Sequence, residues 1–241
     1  MTVAFEPRNF CDMPRRLRCA LGGYVYHVLN RSVGRATLFR KPGDYSAFEN
    51  VLAEAADELP MRLLAYCLMP NHWHLVLWPD GDRDLPRYLH WLTLTHLRRY
   101  HEHYHTTGTG PIYQGRYKSF PIQADDHFYT VCRYVERNAL RARLVPRAEA
   151  WRWSSLGRRA SGVVTPWLSD WPLVRPADWV ARVNAAETAG ELAAVRESAS
   201  RGRPFGEPEW CVATAERLQL GSTLRDRGRP RKRTPEAGKG T

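Results

Sequence analysis

The chain has 241 residues, 43% of them hydrophobic, a composition that can bury a core and excludes a largely disordered protein. Its 36 lysines and arginines against 25 acidic residues give a formal net charge of +11. This excess favours a polyanionic partner such as nucleic acid, although a merely solvated basic surface or a peripheral membrane protein would have the same balance.

The chain carries no run of 18 apolar residues that would predict a transmembrane helix, and residues 1–20 lack the apolar centre of a signal peptide. Its five scattered cysteines form no Cys-x-x-Cys pair, which is typical of reduced thiols. Cys67 and Cys132 stand in apolar contexts that are typical of buried side chains. We therefore expect a cytoplasmic protein without a membrane partner.

The first part of the chain predicts alternating strands and helices. A β-branched and aromatic run at residues 24–30 indicates a strand. Residues 45–59 carry apolar side chains at helical spacing, with Asp44 as the expected N-cap. Residues 63–68 and 73–78 are apolar runs joined by Met-Pro-Asn-His, a sequence typical of a tight turn, and they predict a hairpin.

The following stretch completes a recognisable order of elements. Residues 85–104 predict a long helix, residues 117–122 a short strand, and residues 125–144 a second long helix that begins near Asp125 or Asp126. The first six elements then follow the split βαβ order of the ferredoxin-like fold. We expect an α+β domain over residues 1–160, with an antiparallel sheet and helices packed on it.

The composition changes after about residue 160. Residues 161–222 predict a small, mostly helical extension, with helices over 181–198 and 210–220. Residues 223–241 carry seven lysines or arginines against two acidic residues and are rich in glycine and proline. This composition predicts a basic tail that is disordered in isolation.

The densest chemical signal is a pair of histidines in the second hairpin strand. Side chains alternate between the faces of a strand, so His72 and His74 share one face and Trp73 points to the other. Two imidazoles side by side on a rigid sheet can hold one divalent ion. Two polar residues on a solvent-facing strand would show the same spacing, and the spacing alone does not separate these interpretations.

A second set of candidates lies on the predicted helix over residues 125–144. Tyr134 and Asn138 are one turn apart and share a face. Asparagine is unfavourable inside a helix, and its amide oxygen could complete a site for Mg²⁺ or Mn²⁺ beside two histidines. Arg137 and Arg141 are candidate phosphate ligands within two turns of Tyr134. A half-buried structural tyrosine is the alternative interpretation.

Two segments combine features of nucleic-acid-binding surfaces. Arg116 and Lys118 alternate with Tyr117, a mixture of charge and stacking surface that binds single strands, although a strand with one apolar and one basic face would look similar. The tail resembles an AT-hook, whose arginines enter the minor groove, but a solvated basic tail is the competing interpretation. Its candidate DNA-binding residues are Arg227, Arg229, Arg231 and Lys232.

Five collinear segments resemble the REP-associated tyrosine transposases, a branch of the HUH single-tyrosine transposases of bacterial insertion sequences. These segments are YHVLNR (26–31), YCLMPNHWHL (66–75), YQGRYKS (113–119), YVERN (134–138) and WRWSS (151–155). A lone His-x-His motif would carry little weight, whereas five ordered segments make a chance match improbable.

The resemblance implies a ferredoxin-like palm in which His72 and His74 hold Mg²⁺ or Mn²⁺, Asn138 supplies the third ligand, and Tyr134 is the covalent nucleophile. Many relatives have Asn-Pro where Asn138 here precedes Ala139. The implied activity is that of a transposase and single-strand endonuclease, which cleaves and rejoins hairpin-forming, REP-like DNA through a 5′-phosphotyrosine link.

The resemblance also sets expectations for partners. The expected partners are single-stranded and hairpin DNA in a bacterial nucleoid. No nucleotide cofactor is expected, because the phosphotyrosine link conserves the bond energy. The chain is expected to be a monomer or a homodimer. Two competing hypotheses remain open. One is a non-catalytic nucleic-acid-binding protein on a ferredoxin-like fold, and the other is a domesticated regulator with an intact site.

Overall fold

The computed structural model describes residues 20–225, and a four-stranded sheet lies at its centre. The strands are β1 (Val25–Arg31), β2 (Arg62–Met69), β3 (His72–Trp78) and β4 (Lys118–Ile122). Their spatial order is β2-β3-β1-β4, and every neighbouring pair is antiparallel. This order, with one helix after β1 and one after β3, is the ferredoxin-like fold that the sequence predicts.

Two long helices cover one face of the sheet. α1 (Pro42–Glu58) and α2 (Asp84–Tyr104) bury apolar side chains against β1, β2 and β3. The predicted N-cap of α1 is wrong, because the cap residue is Lys41 and Asp44 stands in the first turn. The Asp44 carboxylate accepts hydrogen bonds from the backbone N–H groups of Arg40 and Lys41. Pro42 suits the first helical position, since that position needs no N–H donor.

Seven further helices follow α2 within residues 20–225. They are α3 (Asp126–Glu136), α4 (Asn138–Arg141), α5 (Ser155–Ala160), α6 (Trp179–Asn184), α7 (Ala189–Arg201), α8 (Pro208–Arg217) and α9 (Gly221–Leu224). Two short 3₁₀ helices occur at Val33–Arg35 and Ala148–Ala150. Apolar side chains from α3, α6 and α7 pack on the opposite face of the sheet into a second core, whereas Leu218, which follows α8, belongs to the first core. Within residues 20–225, no helix is long and apolar enough to cross a bilayer.

Two predicted helices are interrupted in the structure. The expected helix over residues 125–144 divides into α3 and α4 at Arg137, whose ψ of −6° tightens the turn, and the backbone becomes left-handed at Arg143. The expected helix over residues 181–198 divides into α6 and α7. Thr188 is the N-cap of α7, and its hydroxyl accepts a hydrogen bond from the backbone N–H of Glu191. The Glu191 carboxylate accepts one from the backbone N–H of Thr188, which completes a capping box.

The outer edge of β2 is covered by residues 151–155, which lead into α5. The backbone N–H of Leu68 donates to the carbonyl of Trp153, and the N–H of Tyr66 donates to the hydroxyl of Ser155. The Trp151 indole also donates to the carbonyl of Leu68. The WRWSS segment therefore pairs with backbone groups that would otherwise form an open sheet edge.

A buried carboxylate joins α3 to the C-terminal helices. Glu136 is completely buried and accepts hydrogen bonds from the Ser155 hydroxyl (2.5 Å) and the Trp179 indole (2.6 Å). The Arg159 guanidinium lies 3.5 Å from the same carboxylate. Burial raises the pKa of Glu136, and the nearby Arg159 opposes that rise. This network fixes α5 and α6 against the helix that carries Tyr134.

Replacing Glu136 with alanine should lower the free energy of unfolding by about 3–5 kcal/mol, because it leaves the Arg159 charge and the Trp179 N–H without their buried acceptor. Urea unfolding monitored by tryptophan fluorescence measures the loss. The matched control is Glu197→Ala, which removes only partly exposed ion pairs to Arg201 and Arg203 and should cost less than about 1 kcal/mol. Equal losses in the two variants would contradict a structural role for the buried network.

Candidate active site

Three histidines lie on the α3 side of the sheet. In the β1–β3 register Arg31 is opposite His72, Leu29 is opposite His74, and His27 is opposite Val76, so these side chains project from the same face. Trp73 points to the other face, where it is completely buried and its indole donates to the Tyr113 hydroxyl. The predicted alternation along β3 is therefore confirmed.

Each histidine of the pair is hydrogen-bonded through Nδ1. His72 Nδ1 donates to the Asn71 side-chain oxygen (2.6 Å), and His74 Nδ1 is hydrogen-bonded to His27 Nε2 (2.8 Å). In the described part of the chain no hydrogen bond involves Nε2 of His72 or His74. Since a carbonyl-type oxygen only accepts, the proton of His72 sits on Nδ1 and its Nε2 carries a lone pair.

Burial keeps these imidazoles neutral. It lowers the pKa of His27 to about 3 and, with the positive charges of Arg31 and Arg141, lowers the pKa of His72 to about 4. The pKa of His74 is lowered well below its ordinary value, first by burial and then by the neighbouring His27 and His72. Neutral imidazole is the form that can ligate a metal ion.

Helix α3 brings Tyr134 to the histidines. The Tyr134 ring centroid lies 5.8 Å from that of His74 and 6.2 Å from that of His27, both in edge-on geometry. The Arg141 guanidinium carbon lies 4.2 Å from the Tyr134 ring centroid. Residues about 60 positions apart in the sequence thus form one cluster, in which the Tyr134 ring lies beside one potential metal ligand, His74.

Asn138 begins α4, one turn beyond Tyr134, and only 7% of its surface is exposed. The Ala139 backbone contacts the Cys67 thiol, and Cys67 pairs directly with His74 in the β2–β3 register, so the start of α4 lies close to the histidine strand. No hydrogen bond of the Asn138 side chain occurs within residues 20–225. Its amide oxygen is therefore available as a ligand.

The donor set fits a divalent cation that tolerates imidazole. Within residues 20–225 no group of three or more His, Cys, Asp or Glu side chains is arranged to hold a metal ion. The candidate set is instead two imidazole nitrogens, from His72 and His74, with the amide oxygen of Asn138. Mixed nitrogen and oxygen donors without a thiolate suit Mn²⁺ well and Mg²⁺ when phosphate oxygens complete the shell.

Two predicted phosphate ligands are held by the protein itself. Arg137 donates to the carbonyls of Val183 and Asn184, at 2.8 and 2.6 Å. Arg141 donates to a carboxylate oxygen of Glu187 (2.7 Å) and to the Tyr134 carbonyl (3.3 Å). In this structure Arg137 ties α3 and α4 to the end of α6 and Arg141 ties them to Glu187, which follows α6. Arg141 also stacks on the Tyr134 ring.

The other candidate DNA-binding residues lie at the start of β4 and in the tail. Arg116 and Lys118 are exposed and Tyr117 is half-buried. Arg116 and Tyr117 line an open groove of about 630 Å³ on the α2 side of the sheet, together with Arg83 and His90. The tail residues Arg227, Arg229, Arg231 and Lys232 lie outside the described residues.

Two residues of the cluster, His27 and Arg31, are not among the site residues that the sequence predicts. Both lie in the YHVLNR segment, which contributes to the family resemblance. Alternation along the predicted strand places positions 27, 29 and 31 on one face, so the signal was present. Only the pairing of β1 with β3 shows that this face is also the face of His72 and His74.

Comparisons with known proteins agree with this architecture. A family model described as "Transposase IS200 like" matches residues 21–138, which include four of the five segments that carry the predicted resemblance. A solved structure of a REP-associated tyrosine transposase bound to a REP hairpin is similar in fold, with a TM-score of 0.50 and 16% sequence identity. The match covers 74% of this chain and 100% of that one.

No curated protein sequence matches the chain. The family model spans β1 to the first residue of α4 and so includes the strands, the histidine pair, Tyr134 and Asn138. The resemblance predicted from the sequence is confirmed. Residues 21–138 of this chain are therefore similar to the IS200-like transposases.

Proposed function

We propose that this transposase is a divalent-metal-dependent single-strand endonuclease and strand transferase, which cleaves and rejoins hairpin-forming, REP-like DNA through a 5′-phosphotyrosine link on Tyr134. The observation that carries the proposal is the cluster itself, in which the Tyr134 ring lies 5.8 Å from the ring of His74, next to His72. A hydroxyl beside two neutral imidazoles, in a basic protein, is suited to attack on a phosphodiester.

Different side chains of the cluster have different roles in the proposed reaction. His72, His74 and Asn138 would hold Mg²⁺ or Mn²⁺, which polarises a scissile phosphate and neutralises charge on it when bound. Arg141 stacks on the Tyr134 ring and donates to its backbone carbonyl, which restricts the ring orientation before attack. The Glu136 network holds the same helix from the other side.

The covalent step balances without a further reactant. The Tyr134 oxygen forms a bond to phosphorus and loses its proton, while the bond between phosphorus and the DNA 3′ oxygen breaks and that oxygen gains a proton. Attack of a 3′-hydroxyl on the phosphotyrosine reverses the step and rejoins a strand. No nucleotide hydrolysis is needed, because the number of phosphoester bonds is unchanged.

The surface at the start of β4 supports a DNA partner. Arg116 and Lys118 are exposed, and the groove lined by Arg116, Tyr117 and Arg83 combines positive charge with an aromatic side chain. This combination binds single strands through phosphate contacts and base stacking. A REP hairpin is the DNA bound by the solved relative, and a hairpin with a single-stranded flank is accordingly the substrate that we propose here.

Covalent trapping tests the proposed function. The full-length chain is incubated with labelled hairpin oligonucleotides that carry a randomised single-stranded flank, with Mn²⁺ or with excess chelator, and the products are separated under denaturing conditions. We expect a labelled protein band only with the cation. Binding of the pool without any such band would instead support a non-catalytic nucleic-acid-binding protein.

The hydrogen bond between His27 and His74 predicts a positioning role for His27. An imidazole ligand held through its second nitrogen keeps its orientation and tautomer, and loss of such a contact typically weakens metal binding 10- to 100-fold. His27→Phe should therefore weaken Mn²⁺ binding by about tenfold or more, as measured by electron paramagnetic resonance of free Mn²⁺.

The matched control for His27 is His96→Phe. His96 is also a buried histidine with one hydrogen bond, to the Tyr113 hydroxyl, but it lies on the opposite side of the sheet. We expect this variant to bind Mn²⁺ as the unaltered chain does. Unchanged Mn²⁺ affinity in His27→Phe, with folding verified by urea unfolding, would refute the positioning role.

The basic tail should contribute electrostatic affinity for DNA. Removing residues 223–241 deletes seven lysines or arginines and two acidic residues. Each lost phosphate contact reduces the slope of log affinity against log salt by about 0.9 on duplex DNA. We expect weaker binding and a smaller slope, while adduct formation at saturating DNA is retained. Titrations with and without an A·T-rich duplex flank distinguish the two modes, because only minor-groove binding depends on that flank. A slope that the truncation leaves unchanged would show that the tail does not bind.

A further inference from the structure

Arg31 is a half-buried cation at the histidine pair without a partner in the described part of the chain. Its Nε atom is buried and forms no hydrogen bond. No ion pair or ring contact of Arg31 occurs within residues 20–225. An arginine that is partly removed from water normally pairs with a carboxylate or a carbonyl, because leaving a buried donor unsatisfied costs about 1–3 kcal/mol.

The position of Arg31 is fixed by the sheet. Arg31 is directly opposite His72 in the β1–β3 register, so the two side chains leave the same face at neighbouring positions. The guanidinium therefore leaves the sheet beside one proposed ligand, on the face where α3 presents Tyr134 to His74.

The cluster has a positive charge that no carboxylate within residues 20–225 neutralises. Arg141, the other nearby cation, is paired with Glu187 at 2.7 Å, whereas Arg31 has no such counterpart among residues 20–225. A guanidinium without a paired carboxylate, beside a candidate nucleophile, favours binding of an anion.

We propose that Arg31 binds the scissile phosphate and is a catalytic residue of this transposase. Its guanidinium donates hydrogen bonds to the non-bridging oxygens of the phosphate that Tyr134 attacks, and it stabilises the additional charge that develops there as the new bond forms. This inference rests on the proposed function, because the phosphate assigned to Arg31 is the one that Tyr134 attacks. The recognition of a phosphate by Arg31 can be measured without any cleavage.

The test measures binding alone. Full-length chains carrying Tyr134→Phe, which cannot form the adduct, are titrated in chelator against a hairpin oligonucleotide selected from a randomised pool by retention on the protein. In a series of otherwise identical oligonucleotides, one phosphate of the single-stranded flank at a time is replaced with a neutral methylphosphonate. We expect one position at which the replacement weakens binding by about tenfold.

The decisive comparison adds Arg31→Gln to that background. The variant should bind the unmodified oligonucleotide about tenfold more weakly and lose its sensitivity to the methylphosphonate at that one position, whereas Arg31→Lys should keep part of the sensitivity. The control Arg98→Gln removes the same charge from an exposed position on α2 and should keep the full sensitivity. Urea unfolding verifies that each variant is folded.

Two results would overturn the assignment of Arg31. The first is that Arg31→Gln responds to the methylphosphonate at each position as the Tyr134→Phe chain does. The second is that the Tyr134→Phe chain shows no position at which the methylphosphonate weakens binding. Failure of the unaltered chain to form any adduct is a different outcome, because it contradicts the proposed function and leaves the binding measurements valid. The adduct assay and the binding assay therefore test the two proposals separately.

Discussion

Tyr134→Phe is expected to abolish the covalent protein–DNA adduct while hairpin affinity stays within about twofold of the unaltered chain. The substitution removes only the hydroxyl, so the ring can still pack against His74 and beneath Arg141. Without the nucleophilic oxygen no phosphotyrosine can form. Gel separation of labelled adduct after denaturation measures the effect, and we expect adduct below about a thousandth of the unaltered level.

The matched control for this substitution is Tyr129→Phe. Tyr129 lies on the same helix, and its hydroxyl donates to the carbonyl of Val174 in the C-terminal region. Its loss should leave adduct formation intact. An adduct that persists in Tyr134→Phe would assign the nucleophile to another side chain, with Tyr113 and Tyr117 as the next candidates from the sequence.

Loss of either proposed metal ligand should have an effect of similar size. His72→Ala and His74→Ala each remove one of two imidazole donors, so Mg²⁺- or Mn²⁺-dependent cleavage should fall on the order of a hundredfold or more. Initial rates at saturating hairpin DNA, measured across a cation titration, give the loss. Because only 4% of His74 is exposed, His74→Gln serves as a second variant that fills more of the space.

The control for the histidine pair is His101→Ala, at the C-terminal end of α2. His101 Nδ1 is hydrogen-bonded to the Thr106 hydroxyl at the turn that follows this helix, and it takes no part in the cluster. We expect its cleavage rate to match that of the unaltered chain. Full activity of the unaltered chain in excess chelator would contradict the metal-dependent mechanism itself.

The strands and the histidine pair could be predicted because the signals are local. Alternation along the strand determines that His72 and His74 share a face, and the turn residues Pro70 and Asn71 predict the hairpin. Cys67 and Cys132 are buried free thiols, as their apolar contexts predict. In each case, neighbours within a few residues determine the outcome.

The features that the sequence did not reveal depend on contacts between distant segments. Arg137 was a candidate phosphate ligand, but it is held by backbone carbonyls that lie 46 and 47 residues further along the chain. The break between α3 and α4 occurs at this same residue. His27 acquires its role only when β1 pairs with β3, since neither its own strand nor its spacing indicates a contact with His74.

The most direct test of the account is the identity of the linked residue and of the linkage. The adduct of the unaltered chain, digested with trypsin and nuclease, should yield the peptide 134–137 with a nucleotide joined through its 5′-phosphate, because Arg133 and Arg137 bound this tetrapeptide. Tandem mass spectrometry reads both the modified residue and the attached group. A 5′-phosphoryl nucleotide on Tyr134 is the result that we predict, and a nucleotide on any other peptide, or one joined through a 3′-phosphate, would contradict the proposed mechanism.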